Sequence, residues 1–409
     1  MKRDIVVGLD LGTTKISAAV GEINLDRSIT VLAVSKRDSA GLRRGSIVDI
    51  EATAKAVDEV LEDVERIAGV QITSLRTSFS GITVSSAVNR ATVAVGHPSL
   101  EITREDVDRA IESARMIVVP PDRSVVHIIP RHYTVDGYEG IIDPAGMMGS
   151  RLEVEVVVVT AATSSLQNMV KAVSRTGTKV REIILASLLS AESVLQPAEK
   201  DMGVVLVDMG GGTTDIAVYE QGTLIFASSL PIGSDYITRD IAVGLRTTTD
   251  DAKVIKEKYG FAKSDMTSDE KMVQVGSIYG KETREVSEQV LASIIQARLE
   301  EILELLDNEL KRSGFKGMLP AGLVLTGGSA LLKGIIPVCE EYLNMPVRIG
   351  YPENVGRVSS EINSPEYSTV LGALLYANRT SSSLGSSEHE LSISGMFARL
   401  LEWFRDLFK

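Results

Sequence analysis

Two short stretches carry the residue types that phosphate chemistry needs, at matching spacing. Asp10-Leu11-Gly12-Thr13-Thr14-Lys15-Ile16 is echoed by Asp208-Met209-Gly210-Gly211-Gly212-Thr213-Thr214-Asp215-Ile216. Each follows an apolar run and precedes another, so each reads as the tip of a β-hairpin. Glycine at such a tip lets backbone N–H groups approach an anion with no Cβ in the way, and the threonine hydroxyls add donors. The aspartate ending each incoming strand is placed to hold Mg2+ through the metal's waters, since Mg2+ dehydrates reluctantly. Two such loops facing each other would clasp a nucleotide's phosphates from both sides. A single copy is equally well an ordinary hairpin turn; the duplication, with Asp at the same place, favours the phosphate reading. Other phosphate loops fit worse. There is no G-x-x-x-x-G-K-[ST], and Gly210-x-Gly212 has Asp215 where a dinucleotide fingerprint needs its third glycine. A third element, Leu323-Val324-Leu325-Thr326-Gly327-Gly328-Ser329-Ala330, puts a Gly-Gly pair after an apolar strand and ahead of a helix. There a flat base and its sugar can lie against backbone.

The elements that must position these loops are strands alternating with helices, which predicts an α/β class with a mostly parallel sheet. Ile5 to Asp10 and Lys15 to Val20 read as one hairpin, and Val204 to Val207 as a strand covered on both faces. Helices are expected over Ile50–Ala68 (stopped by Gly69), Leu166–Arg175, Ile183–Leu195, Asp250–Tyr259, Val286–Leu310 and Thr369–Ala377. Between Thr83 and Thr160 short β runs surround one helix, Arg104 to Ala114, which Thr103 can cap; this reads as an inserted βαβ-type unit. From Asn378 the chain turns polar and serine-rich, too poor in apolar residues to fold.

The chain has 409 residues, 44% hydrophobic and 24% charged, a length that suggests about two to four domains. A net charge of −12 argues against binding nucleic acid by bulk charge. One cysteine, Cys339, excludes an internal disulfide framework and fits a reducing compartment. No secretory h-region opens the chain, and no apolar run reaches the roughly 18–20 residues of a membrane-spanning helix. A cytoplasmic protein is expected. His97, His127, His132 and His389 show no metal-ligand spacing, and Cys339 has no histidine near it in sequence, so neither a metal centre nor a catalytic thiol is predicted.

Only 4% of the residues are aromatic, yet the end of the chain gathers several, including the one tryptophan. Ile393, Met396, Phe397, Leu400, Leu401, Trp403, Phe404, Leu407 and Phe408 fall within roughly 160° of a helical wheel, with Arg399, Glu402, Arg405, Asp406 and Lys409 opposite. Such a helix is too short to span a bilayer but suited to lying in its interface. Packing on the chain's own body, or in a partner's groove, are the alternatives.

The three glycine motifs, in this order, resemble the actin-like ATPase superfamily. Within it the chain resembles the FtsA family of bacterial cell-division proteins nearly end to end. The stretches that carry this are Gly45-Ser46-Ile47-Val48-Asp49-Ile50, Tyr133-Thr134-Val135-Asp136-Gly137, Asp143-Pro144-Ala145-Gly146-Met147, Leu230-Pro231-Ile232-Gly233-Ser234-Asp235, Asp240-Ile241-Ala242-Val243-Gly244-Leu245-Arg246-Thr247 and the C-terminal helix. The resemblance implies an actin-like two-lobed fold with a duplicated ribonuclease-H-like core and a family-specific insertion. It implies 1–82 with 161–201 as the first lobe core, 83–160 as the insertion, and 202–235 with 315–377 as the second lobe core. Residues 236–314 would then be the outer subdomain, 378–393 a flexible linker and 394–409 an amphipathic membrane-targeting helix.

By the same resemblance ATP and Mg2+ lie between the lobes. Phosphate contacts fall to Gly12, Thr13, Thr14, Lys15, Gly210, Gly211, Gly212, Thr213 and Thr214. Asp10 and Asp208 are the catalytic candidates and hold the metal through water. Nucleoside contacts fall to Gly327, Gly328 and Ser329, and to Lys253, Lys256 and Glu257, for which a solvated helix face with i,i+4 pairs is an equal account. Arg298 sits where relatives dock the acidic tail of the tubulin-like FtsZ, although an exposed helical arginine needs no partner. Implied partners are FtsZ, further copies in filaments, the bilayer surface and other division proteins. One departure bears on mechanism. Related ATPases orient the attacking water with a polar side chain near the start of the third helix; here that place holds Leu185, and Glu192 lies two turns on. Hydrolysis is therefore expected to be weak. The rival readings are a pilus-assembly type of actin-like scaffold and a small-molecule kinase of the same fold.

Overall fold

The computed structural model describes residues 4–96, 99–116, 119–278, 283–353, 355–356 and 362–383. The amphipathic segment 394–409, with Met396, Phe397, Leu400, Leu401, Trp403, Phe404, Leu407 and Phe408, lies outside the described residues, as do His97 and His389.

Two five-stranded sheets are built to one plan. In the first, strands Ile29–Asp38, Lys15–Ile23, Ile5–Leu11, Ser74–Phe79 and Lys179–Leu185 lie side by side in that order. In the second the order is Thr223–Leu230, Thr214–Glu220, Val204–Met209, Leu323–Thr326 and Val347–Ile349. Each begins as a three-stranded antiparallel meander and is completed by two parallel strands. The sheets are thus mixed rather than mostly parallel. Tight turns join each meander, and only the last two strands of each sheet arrive through helical crossovers, which parallel pairing requires. Val204–Met209 is buried at every residue, as a central strand covered on both faces should be.

The helix Ile50–Ala68 forms as its sequence dictates. Asp49 accepts from the Ala52 N–H at 3.0 Å, Gly69 closes it at φ 66°, and Ala56, Val57, Val60, Leu61 and Val64 face the first core. The helix Glu288–Ser313 starts on Ser287 and packs Leu291, Ile295, Leu299, Ile302 and Leu306 into the second core. The run Ile183–Leu195 is not one helix: Lys179–Leu185 is a strand and Ala186–Val194 the helix. The final helix spans Ser368–Ser383 and so enters the serine-rich stretch expected to be unfolded. Anchors explain this: the Asn378 amide donates to the Arg27 carbonyl at 2.7 Å and Arg379 pairs with Glu192 at 3.2 Å.

The region expected as a βαβ-type insertion carries its own four-stranded sheet, ordered Ser85–Ala94, Arg151–Ala162, Arg123–Val135, Tyr138–Ile141. All its pairings among the described residues are antiparallel, so the described strands form no βαβ crossover. The turn Asp136-Gly137, with φ 48° and 92°, links the last two strands, the Asp-Gly combination that tight hairpins favour. Helix Arg104–Arg115 covers one face, started by a reciprocal capping box between Thr103 and Asp106. Among the described residues no helix is long and apolar enough to cross a membrane.

Candidate functional site

The register of each meander fixes where its loop tip falls. Leu11 opposes Ile16 in the first sheet and Met209 opposes Thr214 in the second. Gly12-Thr13-Thr14 and Gly210–Thr213 therefore project from equivalent sheet ends. They meet there. A Cβ on Gly211 would lie 2.2 Å from Thr14 Cγ2, and one on Gly212 2.5 Å from Thr13 Oγ1, so only glycine lets the two tips close on each other. Ser80 tightens the closure from the first half, with its Oγ 2.7 Å from Asp215 Oδ2 and 3.1 Å from Thr213 Oγ1.

Around the tips lies a cleft of about 890 Å³. It is lined by Asp10, Gly12, Thr13, Thr14 and Lys15 from the first loop and by Asp208, Gly210, Gly211, Gly212 and Thr213 from the second. Gly327, Gly328 and Ser329 also line it, together with Lys253, Lys256 and Glu257. Thr214 stands apart. It is fully buried and its hydroxyl donates to the Ile232 carbonyl at 2.8 Å, so it braces the loop from behind instead of facing the cleft. The Gly327-Gly328 pair leads into a short 3-10 turn, Gly328–Leu331, with the helix Ile335–Leu343 following later. Gly327, at φ 84°, is pressed against Asp208: a Cβ there would sit 2.4 Å from its Oδ1.

The two aspartates are held by hydroxyls. Asp10 Oδ1 accepts from Ser78 Oγ at 2.6 Å; Asp208 Oδ2 accepts from Ser190 Oγ at 2.6 Å and Thr369 Oγ1 at 3.1 Å. Burial pushes the Asp10 carboxyl up to about 6 and raises Asp208 as well, the Ser78 hydrogen bond and Lys15 opposing it at Asp10. A third carboxylate, Asp215, is driven up to about 7 by burial, and its Oδ1 has no hydrogen-bond partner among the described residues. No three His, Cys, Asp or Glu residues cluster as direct metal ligands among the described residues. The groups present, the carboxylates of Asp10 and Asp208 with hydroxyls behind them, are all-oxygen donors and fit a hydrated, oxygen-loving cation better than a zinc-type site.

Lys15 Nζ bonds both the carbonyl and the carboxylate of Glu366, the latter at 3.2 Å, with the Tyr367 ring 4.9 Å away. Burial lowers the Lys15 ammonium below its ordinary value against the pull of Glu366. Of the three helical candidates, Lys256 is the most enclosed. Its Nζ donates to Thr238 Oγ1 at 2.8 Å, and burial again lowers it, with Asp235 opposing. Lys253 reaches across the cleft to Asp38 at 3.6 Å. The helix is thus a cleft wall as well as a partly solvated face.

Leu185 is 2% exposed and ends a strand, its N–H donating to His127 Nε2 at 3.0 Å. Ala186 is the residue of that segment that lines the cleft. Glu192 points away, pairing with Lys200 at 3.8 Å and Arg379 at 3.2 Å. His127 is a packed histidine, pushed down to about 4 by burial, and Cys339 a buried thiol pushed up to about 12. Arg298 is engaged within the chain: it grips Asp240 through two nitrogens at 2.5 and 3.1 Å, pairs with Glu301 and lies 5.8 Å from the Tyr236 ring.

Sequence reasoning missed Lys36, Glu366, Ser78, Ser80, Ser190, Asp215 and Thr369. Only Asp215 carried a signal, as the repeat position matching Lys15; the others reach the site from distant strands and turns.

Comparison with known proteins places this architecture. Residues 205–372 match the family model described as cell division protein FtsA, and 81–160 the model of the SHS2 domain inserted in FtsA. Cell division protein FtsA of Pseudomonas aeruginosa is 38% identical over 91% of this chain and 89% of its own length. The Neisseria meningitidis protein is 37% identical over 98% of both chains, and that of Escherichia coli 35% over 99% of both. Among solved structures, a type IV pilus biogenesis complex, PilM–PilN, matches with a TM-score of 0.64 at 16% identity, covering 91% of this chain and 98% of that one. MreB5 of Spiroplasma citri bound to ADP matches at 0.57 and 13%, covering 94% and 99%. These two show the fold, which is the actin-like one expected, while the identity over full length decides the family. The chain belongs to the FtsA family of cell-division proteins.

Proposed function

We propose that this chain binds ATP with Mg2+ in the cleft between its two loops and uses it as a switch, polymerising and tethering the FtsZ ring to the cytoplasmic face of the membrane at the division site. One observation carries the nucleotide reading: the loops approach so closely that only glycine fits at Gly211 and Gly212, which leaves the backbone of both tips bare of side chains at one place, as binding one anion from both halves requires. Gly12, Thr13, Thr14, Lys15, Gly210, Gly211, Gly212 and Thr213 hold the phosphates, with Thr214 as a brace. Gly327, Gly328, Ser329, Lys253, Lys256 and Glu257 take the nucleoside. MreB5, of the same fold, is a protein bound to ADP, which supports this choice of ligand.

Asp10 and Asp208 would hold Mg2+ through water, and the metal when bound would neutralise charge on the phosphates. The chain's own groups position the nucleotide and keep the catalytic aspartates oriented through Ser78, Ser190 and Thr369. No polar side chain of the Leu185–Ala186 segment orients a water, so turnover is slow and nucleotide occupancy carries the signal. The lobe division 1–82 with 161–201, 202–235 with 315–377, the insertion 83–160 and the outer subdomain 236–314 belong to the same reading. So do a linker over 378–393, now helical at its start, and an interfacial helix over 394–409.

That helix carries two arginines and a lysine against two acids, so one copy binds lipid weakly and many copies on a filament bind by avidity. Docking of the FtsZ tail at Arg298 would have to displace Asp240. Liposome pelleting with ATP tests the reading. The full chain is expected to sediment with lipid and retain an FtsZ tail peptide, and a chain lacking 394–409 to stay in solution. Undiminished sedimentation without 394–409 would refute the tether. Phosphorylation of a small molecule by the chain would favour the kinase reading instead.

A further inference from the structure

Strand register places a second lysine beside Lys15. Lys15 opposes Asp38 and Ser17 opposes Lys36, so Lys15 and Lys36 are diagonal neighbours on one face of the first sheet. Like charges there repel unless an anion lies between them. Glu366 supplies it: its carboxylate oxygens lie 2.9 and 3.0 Å from Lys36 Nζ, and Oε2 lies 3.2 Å from Lys15 Nζ. The Tyr367 ring flanks both ammonium groups, at 4.9 and 5.5 Å. All three charged groups line the cleft, and the Lys36 side chain is 47% exposed, so a ligand can reach it there.

We propose that Lys36 acts with Lys15 as a two-cation seat for the terminal phosphate of the nucleotide, and that the Glu366 carboxylate competes with that phosphate for the seat. The inference rests on the nucleotide reading above and adds to it a phosphate ligand and an internal competitor. A carboxylate and a phosphate offer the same acceptor oxygens, but the terminal phosphate of a triphosphate carries more charge and accepts from both lysines at once. The seat therefore reads the length of the phosphate chain. Glu366 belongs to the turn Pro365–Tyr367, from which the last helix, Ser368–Ser383, starts. The Pro365 carbonyl of that turn accepts from the Gly327 N–H at 3.2 Å, and Thr369 bonds Asp208. A terminal phosphate that displaces Glu366 thus acts on a turn that touches Gly327 and leads into the helix whose Thr369 bonds Asp208.

The test is equilibrium titration of ATP, ADP and AMP, each with Mg2+, into the full chain and into Lys36→Gln, Lys36→Arg and Glu366→Gln. Lys36→Gln is expected to weaken ATP by roughly tenfold, ADP by less, and AMP not at all, while Lys36→Arg keeps the preference for ATP. Glu366→Gln is expected to tighten ATP several-fold, an outcome that misfolding cannot imitate. Lys36→Gln shifting all three nucleotides alike, or none, overturns the seat; so does Glu366→Gln weakening ATP. An unsubstituted chain that binds none of the three overturns the nucleotide reading and the seat together.

Discussion

The two phosphate loops occupy equivalent ends of equivalent sheets, and they differ most at one position. After the Thr-Thr pair the first loop has Lys15 and the second Asp215. Lys15 opens toward the cleft and holds the Glu366 carboxylate. Asp215 is 6% exposed and turns across to the opposite half, where Ser80 donates to it at 2.7 Å. The duplication thus supplies a common scaffold, a hairpin tip of N–H donors with an aspartate behind it. On the proposed reading the divergence divides the labour: one loop would contribute a cation for the ligand, while the other holds a buried carboxyl that ties the halves together through Ser80.

The sharpest way to break this account is Gly211→Val. Its Cβ would fall 2.2 Å from Thr14 Cγ2, forcing the tips apart. ATP affinity should drop at least about a hundredfold, the worth of two hydrogen bonds to a charged group, in a titration of the purified variant. Next come the divergent residues themselves. Lys15→Gln should cost about tenfold in ATP affinity, whereas Asp215→Asn, which keeps the shape but loses the charge, should cost only about twofold. Equal losses would mean that the two loops are functionally symmetric after all.

Asp215 also makes a pH prediction. Its folded carboxyl titrates near 7, above the ordinary 3.8, so the folded state holds a proton that the unfolded chain has released. Its contribution to stability is full below about pH 4 and is lost as pH rises toward 7. In Mg2+-free buffer the melting temperature of Asp215→Asn, relative to the unsubstituted chain, should therefore rise between pH 5 and pH 8; a constant difference would contradict the burial argument. The smallest effect lies outside the cleft. Arg298→Ala removes a partly exposed pair with Asp240 and should cost about 0.5–1 kcal/mol in denaturant melts, with ATP binding unchanged.

What the sequence made legible follows from how local each signal is. The loops were readable because glycine and threonine at a hairpin tip act through their own backbone and hydroxyls. The helix Ile50–Ala68 is legible to the residue because its apolar stripe lies within it and its glycine stop, Gly69, directly follows it. Strand Ser74–Phe79 was missed because its buried positions include Arg76, Thr77 and Ser78; Arg76 is tolerated inside by pairing with Glu182 at 3.1 Å on the neighbouring strand. Ile183-Ile184-Leu185 reads as helix from sequence because a short apolar run has no period to tell strand from helix. At the site, Glu366 lies 351 positions from Lys15, and nothing local announces that they meet. The antiparallel order of the inserted sheet was hidden for the same reason, since strand partners are chosen by tertiary packing.

On the proposed reading one nucleotide is gripped by both loops at once. Calorimetric titration of Mg2+-ATP into the full chain and into Gly211→Val tests it most directly. One ATP per chain is expected for the unsubstituted protein, and at least about a hundredfold weaker binding for the variant. Equal affinity in the two proteins, or no binding to the unsubstituted chain, would contradict it.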